Sequence, residues 1–221
     1  MKGRFAHTYQ RGSEEFSRVL GFSDGVIAIA ITLLVLNIDL PIPSGEQAAS
    51  QADIVALLAS RADQLLAFLV SFVILAYGWM GHHRLLANLE RLDGPFLAWN
   101  FGYLLLAVLV PLQSQLIGLY GDNRQALALY SVGFALLFGW DLLGLRLAWW
   151  RRLTRHGPSR RQRWHFSLAK LIPVVVFLLV PPAIDWVGMQ TASWLWLAVW
   201  PLETLLDLLL PPPSLRPGPT P

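Results

Sequence analysis

Residues 18–38 read RVLGFSDGVIAIAITLLVLNI. An arginine, a serine and an aspartate lead without a break into an apolar run. A helix needs roughly 20 mainly apolar residues to cross a bilayer, and this run predicts one over about Phe22–Leu40. The polar lead includes Glu14 and Glu15, and the A-x-A pattern Ala28–Ala30 lies inside the run rather than after it. Both features argue against a cleaved secretory signal and for a retained span. Asp24 sits at the start of that span. An ionisable group at the bilayer centre costs about 2.5–3.5 kcal/mol on the insertion scale, so Asp24 is expected to find partners near a helix end. Arg18 and Phe22 are four apart and share a face, whereas Asp24 is six from Arg18, which argues against a direct Arg18–Asp24 contact.

The rest of the chain follows the same grammar. Of its 221 residues 55% are hydrophobic and only 14% charged, against about 25% charged in soluble domains. Five further runs predict spans at about Gln64–Leu85, Phe96–Leu116, Gln125–Trp149, Phe166–Val187 and Thr191–Leu210. They are long and continuous, unlike the short alternating segments of a membrane barrel. The fold class read here is therefore an all-α membrane protein with six transmembrane helices. The divisions are a lead segment 1–17, a six-helix domain 18–210 and a Pro-rich tail 211–221, PPPSLRPGPTP. That tail cannot sustain helix and reads as disordered.

Topology comes from the basic residues. Of the 17 Lys and Arg, all but Arg61 and Arg124 fall before span one, in the second and fourth connections, or after span six. Arg146 and Lys170 are counted here with the fourth connection. The positive-inside rule places that side, with both termini, in the cytoplasm. The same short-loop distribution explains the net charge of +3 without invoking nucleic acid. The longest connection, Pro41–Asp63, predicts a turn at PIPSGEQ and an amphipathic lead-in, DIVALLASRADQLL. Trp194, Trp196 and Trp200 read as interfacial or packing aromatics.

Several groups could carry chemistry. At 100° per residue Phe22, Val26, Ile29, Leu33 and Leu36 share one face, with Thr32 flanking it. That stripe suits ordinary helix packing. The sharper alternative is a pore wall, which needs a symmetric oligomer to turn the stripe into rings. His82 and His83 project about 100° apart on a helix and lack the spacing of a zinc-protease pair. One of them is placed to meet Ser23 or Asp24, where protonation would alter the network. Glu203 and Asp207, four apart near the end of span six, predict a solvated or Arg-paired face. Asp141, inside span four, demands an intramembrane partner the sequence does not identify. No cysteine is present, and phosphate loops, GxSxG, HExxH and the TVGYG filter are all missing. No metal, cofactor or catalytic residue is expected.

Taken together, these residues resemble the prokaryotic single-repeat branch of the transmembrane-protein-175 potassium channel family. Its signature RxxxFSD stands here as Arg18, Phe22, Ser23 and Asp24, followed by GVIAIAITLLVLNI. A second similar block runs through Trp79, His82–Arg84, Asp93, Asn100 and Pro111. The resemblance covers about Arg18 to Asn123. It implies a homotetramer of six-helix subunits with the first helix of each lining a central pore. It also implies a hydrophobic constriction at Ile29, further layers at Leu33 and Leu36, and Thr32 as the polar, selectivity-related contact. Arg18, Phe22, Ser23, Asp24, His82 or His83, and Arg84 form the motif network in that reading. The activity implied is a leak-type cation channel of a bacterial inner membrane, passing K+ over Na+ with weak selectivity and no cofactor beyond the permeant ion. Two other classes stay open. One is a proton- or cation-coupled transporter built on Asp141; the other is a membrane enzyme or assembly factor joining His82, His83 and Asp24.

Overall fold

In a computed structural model the structure describes residues 8–40 and 54–211. Residues 1–7, the PIPSGEQ turn and the Pro-rich tail from position 212 onward lie outside the described residues. Among the described residues, six stretches of helix are long and apolar enough to span a membrane. In chain order they are α1 Glu14–Leu33, extended by a 3-10 turn at Leu34–Asn37; α3 Ala62–Ala87; α4 Gly94–Val108 with α5 Val110–Leu119; α6 Arg124–Trp150; α7 Arg160–Val187; and α8 Met189–Ser193 with α9 Val199–Leu209. The lead-in before α3 forms a short helix, α2 Ile54–Ala59, none of whose residues is buried.

The helix boundaries depart from the apolar runs for local reasons. α1 begins eight residues before Phe22 because Ser13 caps it, accepting from the Phe16 N–H at 3.2 Å. Glu14 and Glu15 then sit where the helix dipole favours negative charge. The third run, continuous in sequence, breaks at Leu109 between α4 and α5. Pro111 has no N–H to continue the ladder, and its carbonyl accepts from the Asn37 side-chain amide at 2.7 Å. That bond ties the end of span one to the break. The sixth run is also interrupted, by a 3-10 segment at Trp194–Ala198. α7 carries Pro173, Pro181 and Pro182 and still runs unbroken.

Packing centres on α4, α6 and α7. Tyr130 and Phe134 of α6 and Phe177 of α7 are buried and in ring contact, with centroids 5.0 Å and 5.4 Å apart. α4 and α6 interlock through two tryptophans. Trp99 Nε1 donates to the Trp140 carbonyl at 2.8 Å, and Trp140 Nε1 donates back to the Trp99 carbonyl at 2.9 Å. Each ring lies on a glycine of the other helix: a Cβ at Gly144 would stand 1.9 Å from Trp99, and one at Gly102 2.6 Å from Trp140. Small residues permit this close approach of helices. Trp196 also packs inward, against Tyr130 at 4.8 Å, and donates to Ser131 Oγ. Trp194 is exposed.

The basic connections gather at one end of the bundle. A two-stranded sheet pairs β1 Tyr9–Gln10 with β2 Arg91–Leu92. Arg11 reaches the carbonyls of Ala87 (2.5 Å) and Leu89 (3.0 Å), and Leu89 bridges to Thr154. At the opposite end Arg124 makes a two-pronged pair with Asp185, at 2.5 and 2.7 Å. Lys170 corrects the loop count. It lies inside α7 and pairs with Asp141, because a buried carboxylate is retained only with a compensating partner.

Candidate pore-lining helix and its anchor

α1 divides into two strips. Ser23, Ile27, Ala30 and Leu34 are buried against the subunit. On the other side Phe22, Gly25, Ile29, Thr32, Leu33 and Leu36 are exposed, Ile29 at 60% and Leu36 at 73%. Val26, predicted as a member of the stripe, instead turns partly into the core. Thr32 Oγ1 donates to the Ile29 carbonyl at 2.8 Å, so its own helix satisfies the hydroxyl proton. Of the outward strip, Phe22 has a ring contact within the subunit, on Phe101, while Ile29, Thr32, Leu33 and Leu36 stay exposed; the inward strip and its polar groups hold the helix.

The anchor is built on the FSD residues. Trp79 Nε1 of α3 donates to Asp24 Oδ1 at 2.8 Å, and His83 Nδ1 lies 3.3 Å from the same oxygen. Ser23 Oγ donates to the Val19 carbonyl and accepts from Asn100 Nδ2 of α4, both at 2.9 Å. Phe22 packs on Phe101 with ring centroids 5.9 Å apart. Three helices thus meet at the first turns of the span, and Asp24 obtains its partners near the basic end rather than within lipid.

The two histidines part company. His83 faces Asp24, whereas His82 is fully buried, stacked on Tyr103 with ring centroids 3.9 Å apart and 4.0 Å from Asp141. Adjacent helical positions diverge by about 100°, and this is that divergence at work. Arg18 pairs with Glu14 at 2.5 Å, both exposed, and makes no contact with Asp24. Arg84 is exposed on the surface of α3. Within one subunit the motif network therefore comprises Ser23, Asp24, Trp79, His83 and Asn100, without the two arginines.

The acidic pair of span six is solvated at Asp207, as expected, while Glu203 is partly buried. Glu203 accepts from the Tyr77 hydroxyl, and Asp207 lies 2.9 Å from His165 Nε2. Neither pairs with arginine, because α3 and α7 present a tyrosine and a histidine to that face. Sequence reading missed Lys170 as well as these two pairs. A lone lysine within an apolar run was the available signal. Among the described residues no three His, Asp or Glu side chains converge to hold a metal ion. A groove of about 840 Å³, lined by Leu66, Ile117, Tyr120, Tyr130, Trp194 and Trp200 among others, lies toward the Arg124 end and reaches neither Asp24 nor Asp141.

A bundle of six spans, with one helix pinned by a polar anchor and apolar on its free face, defines a multi-pass helical membrane protein. The chain belongs to the TMEM175 family. Residues 18–111 match the family model described as endosomal/lysosomal potassium channel TMEM175. A Streptomyces collinus protein named a potassium channel is 31% identical over 167 residues, covering 71% of this chain and 78% of its own length. A Chamaesiphon minutus potassium channel is 39% identical over 118 residues, covering 53% of this chain and 57% of its own. The crystal structure of a lysosomal potassium-selective channel TMEM175 homolog from Chamaesiphon minutus aligns with a TM-score of 0.69 at 26% identity, over 90% of this chain and all of that one. The human relative, named an endosomal/lysosomal proton channel, is 35% identical over 77 residues, only 15% of its length.

Proposed function

We propose that four copies of this chain form a potassium-permeable leak-type cation channel, with α1 of each subunit lining a central pore. Conduction is passive, down the electrochemical gradient, and needs no catalytic step or cofactor. The observation that carries this reading is the outward strip of α1, Ile29–Thr32–Leu33–Leu36, on a helix held from behind by Asp24 and Ser23. Closed rotational symmetry would turn each of those residues into a ring. Rings of Ile and Leu narrow a pathway and gate it by dewetting; Thr32 supplies the one polar side chain on that wall. The names of the bacterial relatives support potassium as the permeant ion. The weak preference for K+ over Na+ is carried from the family likeness rather than from the rings, which hinder hydrated cations as a class. The cluster of basic connections supports a bacterial cell membrane with both termini on the cytoplasmic side.

The test is potassium flux in liposomes reconstituted with purified protein. Ile29→Asn wets the constriction and should raise flux several-fold while lowering K+/Na+ discrimination. Thr32→Ala should alter discrimination with a smaller change in flux. No flux from correctly inserted tetramers ends the channel reading; unchanged flux and selectivity in Ile29→Asn ends the assignment of the constriction.

A coupled transporter has one observation in its favour, the buried Asp141 inside a single subunit. Its charge is already matched by Lys170, and the large groove does not reach it. Transport coupled to a proton gradient would stop when that gradient is collapsed, whereas passive potassium flux continues.

A further inference from the structure

Four helices of one subunit enclose a second polar cluster, away from the free face of α1. It draws His82 from α3, Asn100 and Tyr103 from α4, Asp141 from α6 and Lys170 from α7. Asp141 Oδ2 pairs with Lys170 Nζ, and Gly81 leaves room for both: a Cβ there would stand 3.4 Å from each. Asp141 Oδ1 stands 4.0 Å from His82 Nδ1. His82 itself is buried between the Tyr103 ring, parallel to within 4°, and Trp99 at 5.6 Å. The cluster lies about 8 Å inside the basic end of α3, counting five residues from His82 to Ala87 at 1.5 Å each.

Its polar atoms are unevenly paired. Asp141 Oδ1 and the Tyr103 hydroxyl are buried without a protein hydrogen-bond partner among the described residues, and the ring nitrogens of His82 make no bond of good geometry, with Asn100 Oδ1 as their nearest side-chain partner. Buried polar atoms are nearly always satisfied, by ordered water where protein does not serve. A gap of 4.0 Å is too long for a direct hydrogen bond and is of the length that a single bridging water spans. A neutral ion pair needs no third titratable group against it. Here an imidazole has been placed with a free nitrogen toward the free carboxylate oxygen, and Lys170, one-fifth exposed, opens the site toward the surface.

The groups facing His82 are Asp141 from α6, Lys170 from α7, Asn100 and Tyr103 from α4 and the more distant Asp24 from α1, with His83 and Arg84 beside it on α3. Asn100 also donates to Ser23, so the cluster is one side chain removed from the buried strip of α1. We propose that His82, Asp141 and Lys170 form a proton-binding site within each subunit. His82 takes the proton, Asp141 Oδ1 and a bridging water hold it, and Asn100–Ser23 carries the state of the site to α1.

The experiment is a pH titration of the full-length protein, labelled on its histidine imidazoles, followed by nitrogen NMR. Of the chain's 5 histidines, His82 is identified by the signal lost in His82→Gln. A His82 signal that titrates reversibly, and moves in opposite senses in Asp141→Asn and Lys170→Gln, is the expected result. If either of those variants fails to fold, the other gives the same test. A His82 signal constant across every pH at which the protein stays folded overturns the site, as does a titration indifferent to both charge replacements. The link to α1 rests on the channel reading and is read separately, as potassium flux against pH. Flux should depend on pH in wild type and lose that dependence in His82→Gln and in Ser23→Ala. Flux that passes potassium but ignores pH in wild type overturns the link, while absence of flux touches only the channel reading.

Discussion

The first span and α6 are both long apolar helices and are held in opposite ways. In the most apolar window of span one only 22% of residues are buried; in that of α6 the share is 50%. α6 is fixed on several sides by interlocking aromatics and glycines. α1 is fixed along one strip by Phe16, Ser23, Ile27, Ala30 and Leu34, with polar attachments of Asp24 to α3, Ser23 to α4 and Asn37 to Pro111, while most of its outward strip stays exposed. In hydrocarbon no hydrophobic force drives helices together, so close packing and polar contacts decide where a span sits. A helix held by packing is a structural element. A helix held by a polar hinge along one edge has its other face left for a partner or a pathway.

Four substitutions break or sharpen that contrast. Gly144→Leu in α6 forces a side chain into the Trp99 ring, 1.9 Å from where its Cβ must stand. Overpacking costs about 1–3 kcal/mol and occasionally more, and this collision belongs at or above the top of that range. Thermal unfolding should show a large drop or no folded protein, whereas Ile29→Ala on the free face of α1 should leave the midpoint nearly unchanged. Equal losses from the two would erase the distinction between the helices.

Asp24→Asn is intermediate. The amide keeps an acceptor for Trp79 but loses the charge beside His83, and both side chains are partly exposed. The expected cost is about 1 kcal/mol, below the range for a buried charged hydrogen bond. It should be read in denaturant unfolding, together with faster amide exchange confined to the first turns of α1. Exchange that rises equally in α6 would mean Asp24 stabilises the bundle as a whole.

The smallest effect is expected from Arg18→Gln. The Arg18–Glu14 pair is an exposed i,i+4 contact, of a kind worth about 0.3–0.5 kcal/mol. A near-silent change in subunit stability is the prediction. Loss of the tetramer on crosslinking, without loss of subunit stability, would instead give Arg18 a partner in a neighbouring copy.

Much of this was legible beforehand, and the failures have identifiable causes. The six spans follow from run length and composition alone, since a bilayer imposes one length on every helix. That Asp24 would need partners near a helix end followed from the cost of burying charge. The identity of those partners did not, because Trp79 and His83 lie 55 and 59 positions away. His82 and His83 were indistinguishable as letters; the 100° step between adjacent positions of α3 sends them to different clusters. Lys170 falls inside the predicted fifth span yet was counted with the basic connection before it, because linear position carries no depth. Asp141, 29 residues away on the preceding span, claims it. The breaks at Leu109 and within span six were hidden because apolar composition stays continuous where backbone geometry does not.

What the sequence determined by itself is the membrane class, the number of spans, the clustering of basic loops at one end and the periodic stripe of α1. All of these depend on residue type and on spacing along one helix. The tertiary structure decided which face of α1 is held and which is free, which histidine serves the anchor, and that Asp141 is buried with a cation. Those depend on how helices rotate against one another. That rotation is set by contacts between residues distant in sequence, such as Asn100 with Ser23 and Trp99 with Gly144, which no local pattern encodes.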